Sequence, residues 1–168
     1  GHYEPGRGIN KDEANAIVKE ILFRLKDKEL VKKSIGVITF NEKQENLVED
    51  LLQDAYDKDP SMPTTPGGES IFVKNLENVQ GDERDVILFS ICFAPDPKTH
   101  VMPLNFGPLS REKGERRLNV AISRARDEMI VFASCEPEDI RAERALNQGA
   151  GYLKAFLSYA KFGAKALA

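Results

Sequence analysis

Six basic residues crowd the stretch Arg111–Arg126, which also holds only two acids, Glu112 and Glu115, for a net charge of +4. The remaining chain has 18 basic and 25 acidic residues, net -7. Guanidinium groups gathered on an acidic body suit the grip of a specific anion, phosphate above all, and not a general polyanion coat. Leu118, Ala121, Ile122 and Ala125 recur at i, i+3, i+4 and i+7, which predicts one amphipathic helix through the stretch. At about 100° per residue, Arg117 and Arg124 would share an azimuth at the rim of its apolar face. The competing reading is a solvated charged helix.

A second chemical stretch is Asn75-Leu-Glu-Asn-Val-Gln-Gly-Asp-Glu-Arg-Asp85. Gly81 permits a tight turn just before a buried strand, exposing Gln80 and Glu83 at a sheet edge. A carboxylate there can accept hydrogen bonds from ribose hydroxyls, as acidic residues do in other nucleotide sites. Read alone, the string is more simply a charged turn. Equally informative is what the sequence lacks. Nothing matches G-x-x-x-x-G-K-[ST], since Gly67-Gly68 has neither the lysine nor the following hydroxyl. The pairs Asp12-Glu13, Asp82-Glu83 and Asp127-Glu128 each lack the apolar strand that would aim them at magnesium. The chain is therefore not expected to hydrolyse a nucleoside triphosphate alone. With only His2 and His100, and with Cys92 and Cys135 set singly in or beside apolar runs, no zinc constellation can be assembled and no metal ligand is expected.

These residues need elements to hold them. Asn10, with Glu13 three residues on, begins a first helix whose stripe is Ala14, Ile17, Val18, Ile21, Leu22 and Leu25. Ser34–Phe40 reads as a strand. Asn41, with Gln44, caps a second helix lined by Leu47, Val48, Leu51, Leu52 and Ala55. Asp57–Gly68 reads as loop, Ser70–Val73 as a strand, and Asn75, Glu77 and Asn78 as a polar turn. Asp85–Phe93 is apolar without alternation, as a strand buried on both faces of a parallel sheet is. Ala94–Lys113 is a Pro- and Gly-punctuated loop long enough to suggest a function. Met129–Ala133 is another strand, and Glu136–Glu143 a turn or short helix. Residues 149–164 hold a C-terminal helix, periodic from Gly151, with Leu153, Phe156, Leu157 and Ala160 inward. Alternating strands and helices predict one α/β domain over residues 1–168.

No apolar run approaches the roughly 18–20 residues of a membrane helix. Unpaired thiols suit a reducing compartment, so a cytoplasmic location is expected. The opening Gly-His-Tyr-Glu-Pro-Gly gives the impression of a domain cut from something longer.

Three stretches in order resemble the second RecA-like domain of superfamily-one DNA/RNA helicases, in the branch with AAA-type domains. Ser34-Ile-Gly-Val-Ile-Thr-Phe-Asn-Glu-Lys-Gln44 resembles motif IV. Asn75–Ser90, centred on Val79-Gln-Gly-Asp-Glu-Arg-Asp-Val-Ile, resembles motif V. Gly114-Glu-Arg-Arg-Leu-Asn-Val-Ala-Ile-Ser-Arg-Ala-Arg126 resembles motif VI. Asn10–Ile21 is similar to the linking helix before motif IV, and Leu153–Ala160 to a helix after motif VI. The resemblance implies a three-layer α/β fold of P-loop NTPase type, with a mostly parallel sheet, helices on both faces and no P-loop of its own.

The same resemblance implies that ATP and Mg2+ are held mainly by a first RecA-like domain outside this chain. The second domain then supplies an arginine finger and sugar contacts. By position Arg124 is the finger, Glu83 the ribose contact, and Gln80, Gly81 and Arg117 further residues of the ATP cleft. Arg126 is the position expected to pair with a neighbouring acid. Thr39 and Asn75 match backbone contacts to single-stranded DNA or RNA, although motif V usually begins with a small hydroxyl residue where Asn75 stands. Other readings are an ATP-independent nucleic-acid-binding or regulatory module with a degenerate helicase fold, and a nuclease built on Pro95-Asp96-Pro97-Lys98. The second lacks the other carboxylate that a metal site needs.

Overall fold

In the computed structural model, which describes residues 1–167, both asparagine caps start helices as their spacing implies. The Asn10 side chain accepts from the Glu13 N–H and opens α1 (Lys11–Lys26), and Asn41 accepts from the Gln44 N–H and opens α2 (Glu42–Lys58). Ahead of them a small antiparallel pair joins β1 (Tyr3–Glu4) to β2 (Ile9–Asn10). The main sheet has β3 (Ile35–Thr39), β4 (Phe72–Asn75), β5 (Arg84–Ser90) and β6 (Ala125–Phe132). All its pairings are parallel, in the order β4-β3-β5-β6. Helices α3 (Gly114–Ile122) and α4 (Gly149–Phe162) complete the layers.

Period-two alternation along β3 and β5 divides the core between two faces. Ile35, Val37, Val86 and Leu88 pack under Ala14, Ile17 and Ile21 of α1 and Val48 and Leu52 of α2. Ile38, Ile87 and Phe89 face the other way, onto Leu118 and Ala121 of α3 and Leu153 and Leu157 of α4. The molecule is thus a three-layer α/β domain of RecA-like form, with helices on both faces of the sheet. Strand β5 is central and both of its faces are covered, which explains its unbroken apolar run. None of the helices among the described residues is long and apolar enough to cross a membrane.

Three expectations need correction. The basic helix does not run to Arg126: α3 stops at Ile122, and Ala125 already pairs with Arg84 as the first residue of β6. The strand read over Ser70–Val73 lies at Phe72–Asn75, so Asn75 ends a strand as well as opening the turn. Ala160 is exposed although it continues the stripe of Ala150, Leu153 and Leu157, because burial along α4 ends at Leu157. Close approach also fixes the long loop. Its 3-10 turn at Gly107–Ser110 lies against the first residues of α3 and α4. A Cβ on Gly114 would sit 2.0 Å from the Leu109 carbonyl oxygen, and one on Gly149 2.4 Å from it. Only glycine lets both helices start there.

Candidate nucleotide-facing site

Parallel pairing sorts the candidate residues onto opposite edges of the sheet. Arg84 and Ala125 are register partners at the start of β5 and β6, so Glu83 and Arg124 stand side by side just outside the amino-terminal edge. Thr39 partners both Asn75 and Ser90, the last residues of their strands, and all three mark the carboxyl-terminal edge.

At the amino-terminal edge, Gly81 adopts φ 91° and turns the chain beneath Val79, which is wholly buried. Gln80, Gly81 and Glu83 are thereby exposed, as their spacing implied. Across the turn Lys74 pairs with Asp82. Arg84 donates to the Glu83 carbonyl oxygen at 2.7 Å and to the Ser70 carbonyl oxygen at 2.9 and 3.1 Å, and lies 4.9 Å from the Phe72 ring centre. This holds the backbone on both sides of Glu83.

Arg124 follows the end of α3, and its side chain folds back along the last turn. Its Nε donates to the Val120 carbonyl oxygen at 3.0 Å and its Nη2 to the Ser123 hydroxyl at 3.0 Å. Ser123 Oγ in turn donates to the Val120 carbonyl oxygen at 2.9 Å. The remaining nitrogen, Nη1, has Glu83 at 3.9 Å, outside hydrogen-bond range. One edge of the guanidinium is braced and Nη1 is left without a hydrogen bond among the described residues, an arrangement able to take an anionic oxygen.

Arg126 reaches Glu69 at 2.9 Å and Asp85 at 3.4 Å, with Glu83 at 3.9 Å. It pairs with acids, as its position implied. Hydrogen bonding from Arg126 holds the Glu69 carboxyl below its ordinary value, and the Ser34 backbone N–H does the same for Asp85. Lys33 pairs with Asp127 beside them. The Glu83 carboxylate therefore has two arginines near it and no hydrogen bond among the described residues.

Arg117 does not join this group. Its Nη1 is drawn the other way, to the carbonyl oxygens of Glu112 at 3.1 Å and Pro108 at 3.4 Å. The shared azimuth with Arg124 fails because the helix has ended before residue 124.

The carboxyl-terminal edge differs from expectation too. Thr39 is fully buried, and its hydroxyl donates to the Asn41 carbonyl oxygen at 2.9 Å. Asn75 is buried, donates to Glu45, accepts from the Glu77 N–H at 2.8 Å and anchors the Asn78 turn. Both side chains close turns and neither faces solvent.

Sequence reasoning missed a buried polar hub between these strand ends and α1. Glu13, 4% exposed, accepts from Ser90 Oγ and the Cys92 N–H at 2.7 Å each, from Ser134 Oγ at 2.8 Å and from Asn10 Nδ2 at 3.2 Å. Burial pushes its carboxyl above the ordinary glutamate value, against the pull of those donors. The signal was present: Glu13 precedes Ile17 and Ile21 by one and two i+4 steps, so it lies on the buried stripe. Burial also pushes both thiols, Cys92 and Cys135, up to about 12, which leaves them inert.

A family model described as an AAA domain matches residues 3–136, a stretch that includes every candidate position above. The chain belongs to the AAA domain family. Two curated relatives of this AAA domain are each named an uncharacterized ATP-dependent helicase. The one from Mycoplasma genitalium is 35% identical over 164 residues, covering 93% of this chain and 14% of the relative. The one from Mycoplasma pneumoniae is 35% identical over 158 residues, covering 89% of this chain and 13% of the relative. The AAA domain thus spans about one-seventh of the length of these relatives.

Proposed function

We propose that this AAA domain is the second motor domain of a superfamily-one, ATP-dependent DNA or RNA helicase or translocase that works in the cytoplasm. The observation that carries the reading is the half-braced Arg124 guanidinium beside the unbonded Glu83 carboxylate at one sheet edge. A permanent cation and a neighbouring free acceptor suit the two kinds of group a nucleotide presents, anionic phosphate oxygens and ribose hydroxyls. No phosphate loop accompanies them in the sequence, so a first RecA-like domain must hold most of the ATP and its Mg2+. By itself the chain is expected to be inactive.

Bound ATP would supply the phosphoanhydride whose hydrolysis drives movement along a strand. This chain's share is electrostatic and positional. Arg124 offers charge to the equatorial oxygens of the transferring phosphoryl group, a contribution worth about 10³–10⁵ in rate for such a finger. Ser123 and the Val120 carbonyl oxygen fix the guanidinium plane, so little side-chain freedom remains to be lost. Glu83 accepts from ribose hydroxyls. Arg126, anchored by Glu69 and Asp85, stands beside the pair with its charge already matched by those acids. Gln80 and Gly81 form the exposed rim of the same turn. Arg117, turned toward the loop, has a structural part and not a cleft contact. Single-stranded DNA or RNA is the proposed track.

The test is nucleic-acid-stimulated ATP hydrolysis by the full-length protein. Arg124→Ala should reduce turnover by about 10³-fold or more while ATP binding persists. Undiminished turnover in that variant refutes the finger. Full-length protein that binds strands without hydrolysing ATP would instead favour the ATP-independent module.

A further inference from the structure

The long loop forms one wall of a groove of about 460 Å³ at the carboxyl-terminal edge, opposite Arg124. Leu104, Asn105 and Arg111 line that wall, and Arg144, Leu146 and Asn147 line the other. The walls are joined: Asn147 Nδ2 donates to the Ser110 carbonyl oxygen at 2.6 Å, and Ser110 Oγ accepts from the Phe106 N–H at 2.8 Å. The glycine starts of α3 and α4 grip Leu109 beneath it. The groove is therefore preformed, and no motif position occupies it.

Its chemistry is mixed in a particular way. Residues 98–117 and 141–148 together carry seven basic and three acidic side chains, net +4, while the rest of the chain has 17 basic and 24 acidic, net -7. Beside the arginines stand exposed apolar side chains, Leu104 at 41% and Leu146 wholly open. Arg111, its side chain 67% exposed, is held by Glu77 at 2.8 Å, at the end of the motif V turn. Charge suits phosphates, and amides suit sugar and base edges. Guanidinium planes suit base faces, which a single strand presents and a duplex hides. An acidic peptide would match the charge but offer no planar faces for the guanidinium groups to stack on.

We propose that this groove, and not the buried Thr39 and Asn75, binds the backbone of a single DNA or RNA strand, with Arg111 and Arg144 on its phosphates. The proposal rests on the helicase reading, and one experiment separates the two. Full-length protein is titrated with fluorescein-labelled 20-mers of deoxythymidine and of uridine between 50 and 200 mM KCl. Each phosphate contact to a single strand contributes about 0.7 to the slope of log K against log salt. The Arg111→Gln/Arg144→Gln double variant should flatten that slope by about 1.4, so across this range its affinity falls about sevenfold less than that of the wild type. Glu77→Gln frees Arg111 and should tighten binding. Wild-type binding with an unchanged slope in the double variant, or a Glu77→Gln variant that binds more weakly, overturns the groove and leaves the motor reading standing. Wild-type protein that binds neither oligonucleotide, and whose ATP hydrolysis neither stimulates, overturns both. A slope that falls only when a polyglutamate peptide replaces the oligonucleotide assigns the groove to an acidic protein partner and overturns the proposal.

Discussion

Replacing Glu13 should reveal how much of this domain hangs on one buried carboxylate. In Glu13→Ala the Cys92 backbone N–H loses its acceptor and cannot rotate to another, and the Ser90 hydroxyl is left in a site with no solvent access. Each such orphan costs about 1–3 kcal/mol. Ser134 is only half-buried and can turn to water, so its loss adds little. Relief from burying a charge offsets part of the total, giving a net destabilisation of about 3 kcal/mol. Glu13→Gln keeps one acceptor oxygen but sets a new amide N–H against Asn10 Nδ2, so about 1–2 kcal/mol is expected. Acidity supplies an independent check. Because burial raises the folded-state carboxyl above 4.5, the folded state binds the proton more tightly than the unfolded chain does. The stability due to this group is full below 4.5 and is lost as pH rises through the folded value. Urea unfolding followed by far-ultraviolet circular dichroism from pH 4 to pH 8 measures both effects. The advantage of wild type over Glu13→Gln should shrink as pH rises. A gap that widens with pH, or an alanine variant within about 0.5 kcal/mol of wild type, would falsify the hub.

Other outcomes follow from the same geometry. Arg124→Lys in the full-length protein keeps charge but loses the braced fork, and single-turnover hydrolysis should recover under a tenth of wild-type rate, about 1.4 kcal/mol or more of lost barrier reduction. Asp85 has its carboxyl held down, first by the Ser34 N–H, so its stability is present above 3.8 and lost as pH falls through the folded value. Asp85→Ala should therefore cost about 1–2 kcal/mol at pH 7, a deficit that narrows in urea melts as pH falls through the folded value. Gly114→Ala drives a Cβ to 2.0 Å from a backbone oxygen and should destabilise by about 3 kcal/mol. Gly151→Ala meets nothing within 4 Å inside α4 and should stabilise by about 0.5–1 kcal/mol. Thermal melts of the two glycine variants must move in opposite directions.

Much of this was legible because it was local. The Asn10 and Asn41 caps, the turn at Gly81 and the doubly buried β5 are each written in a few adjacent residues. What escaped reading was set by partners distant in sequence. Apolar periodicity continues through Ala125, so nothing local ends α3 at Ile122. The chain turns there because Ala125 must pair with Arg84 at the start of β5. Arg126, Asp127 and Glu128 disguised the first half of β6, since a strand at a sheet edge tolerates charges that a central one does not. Arg24 and Glu13 sat on a helix face otherwise read as apolar, and only the fold supplied Glu128 for one and the ends of β5 and β6 for the other. Motif resemblance singled out Glu83 and Arg124 separately, and only the register of β5 against β6 sets them side by side; it carried no information on whether Thr39 and Asn75 reach solvent.

Helix α3 has nine residues, so its axis is only about 13 Å long. Arg124 lies just past one end, and the Arg111–Lys113 turn just before the other. Leu118 and Ala121 pin its middle to the sheet. A short rod held at its centre behaves as a lever: a tilt of about 10° moves each end by about 1 Å, in opposite senses. Whatever draws the guanidinium toward a phosphate at one edge therefore has a direct mechanical route to the loop at the other, without any rearrangement of the sheet between them.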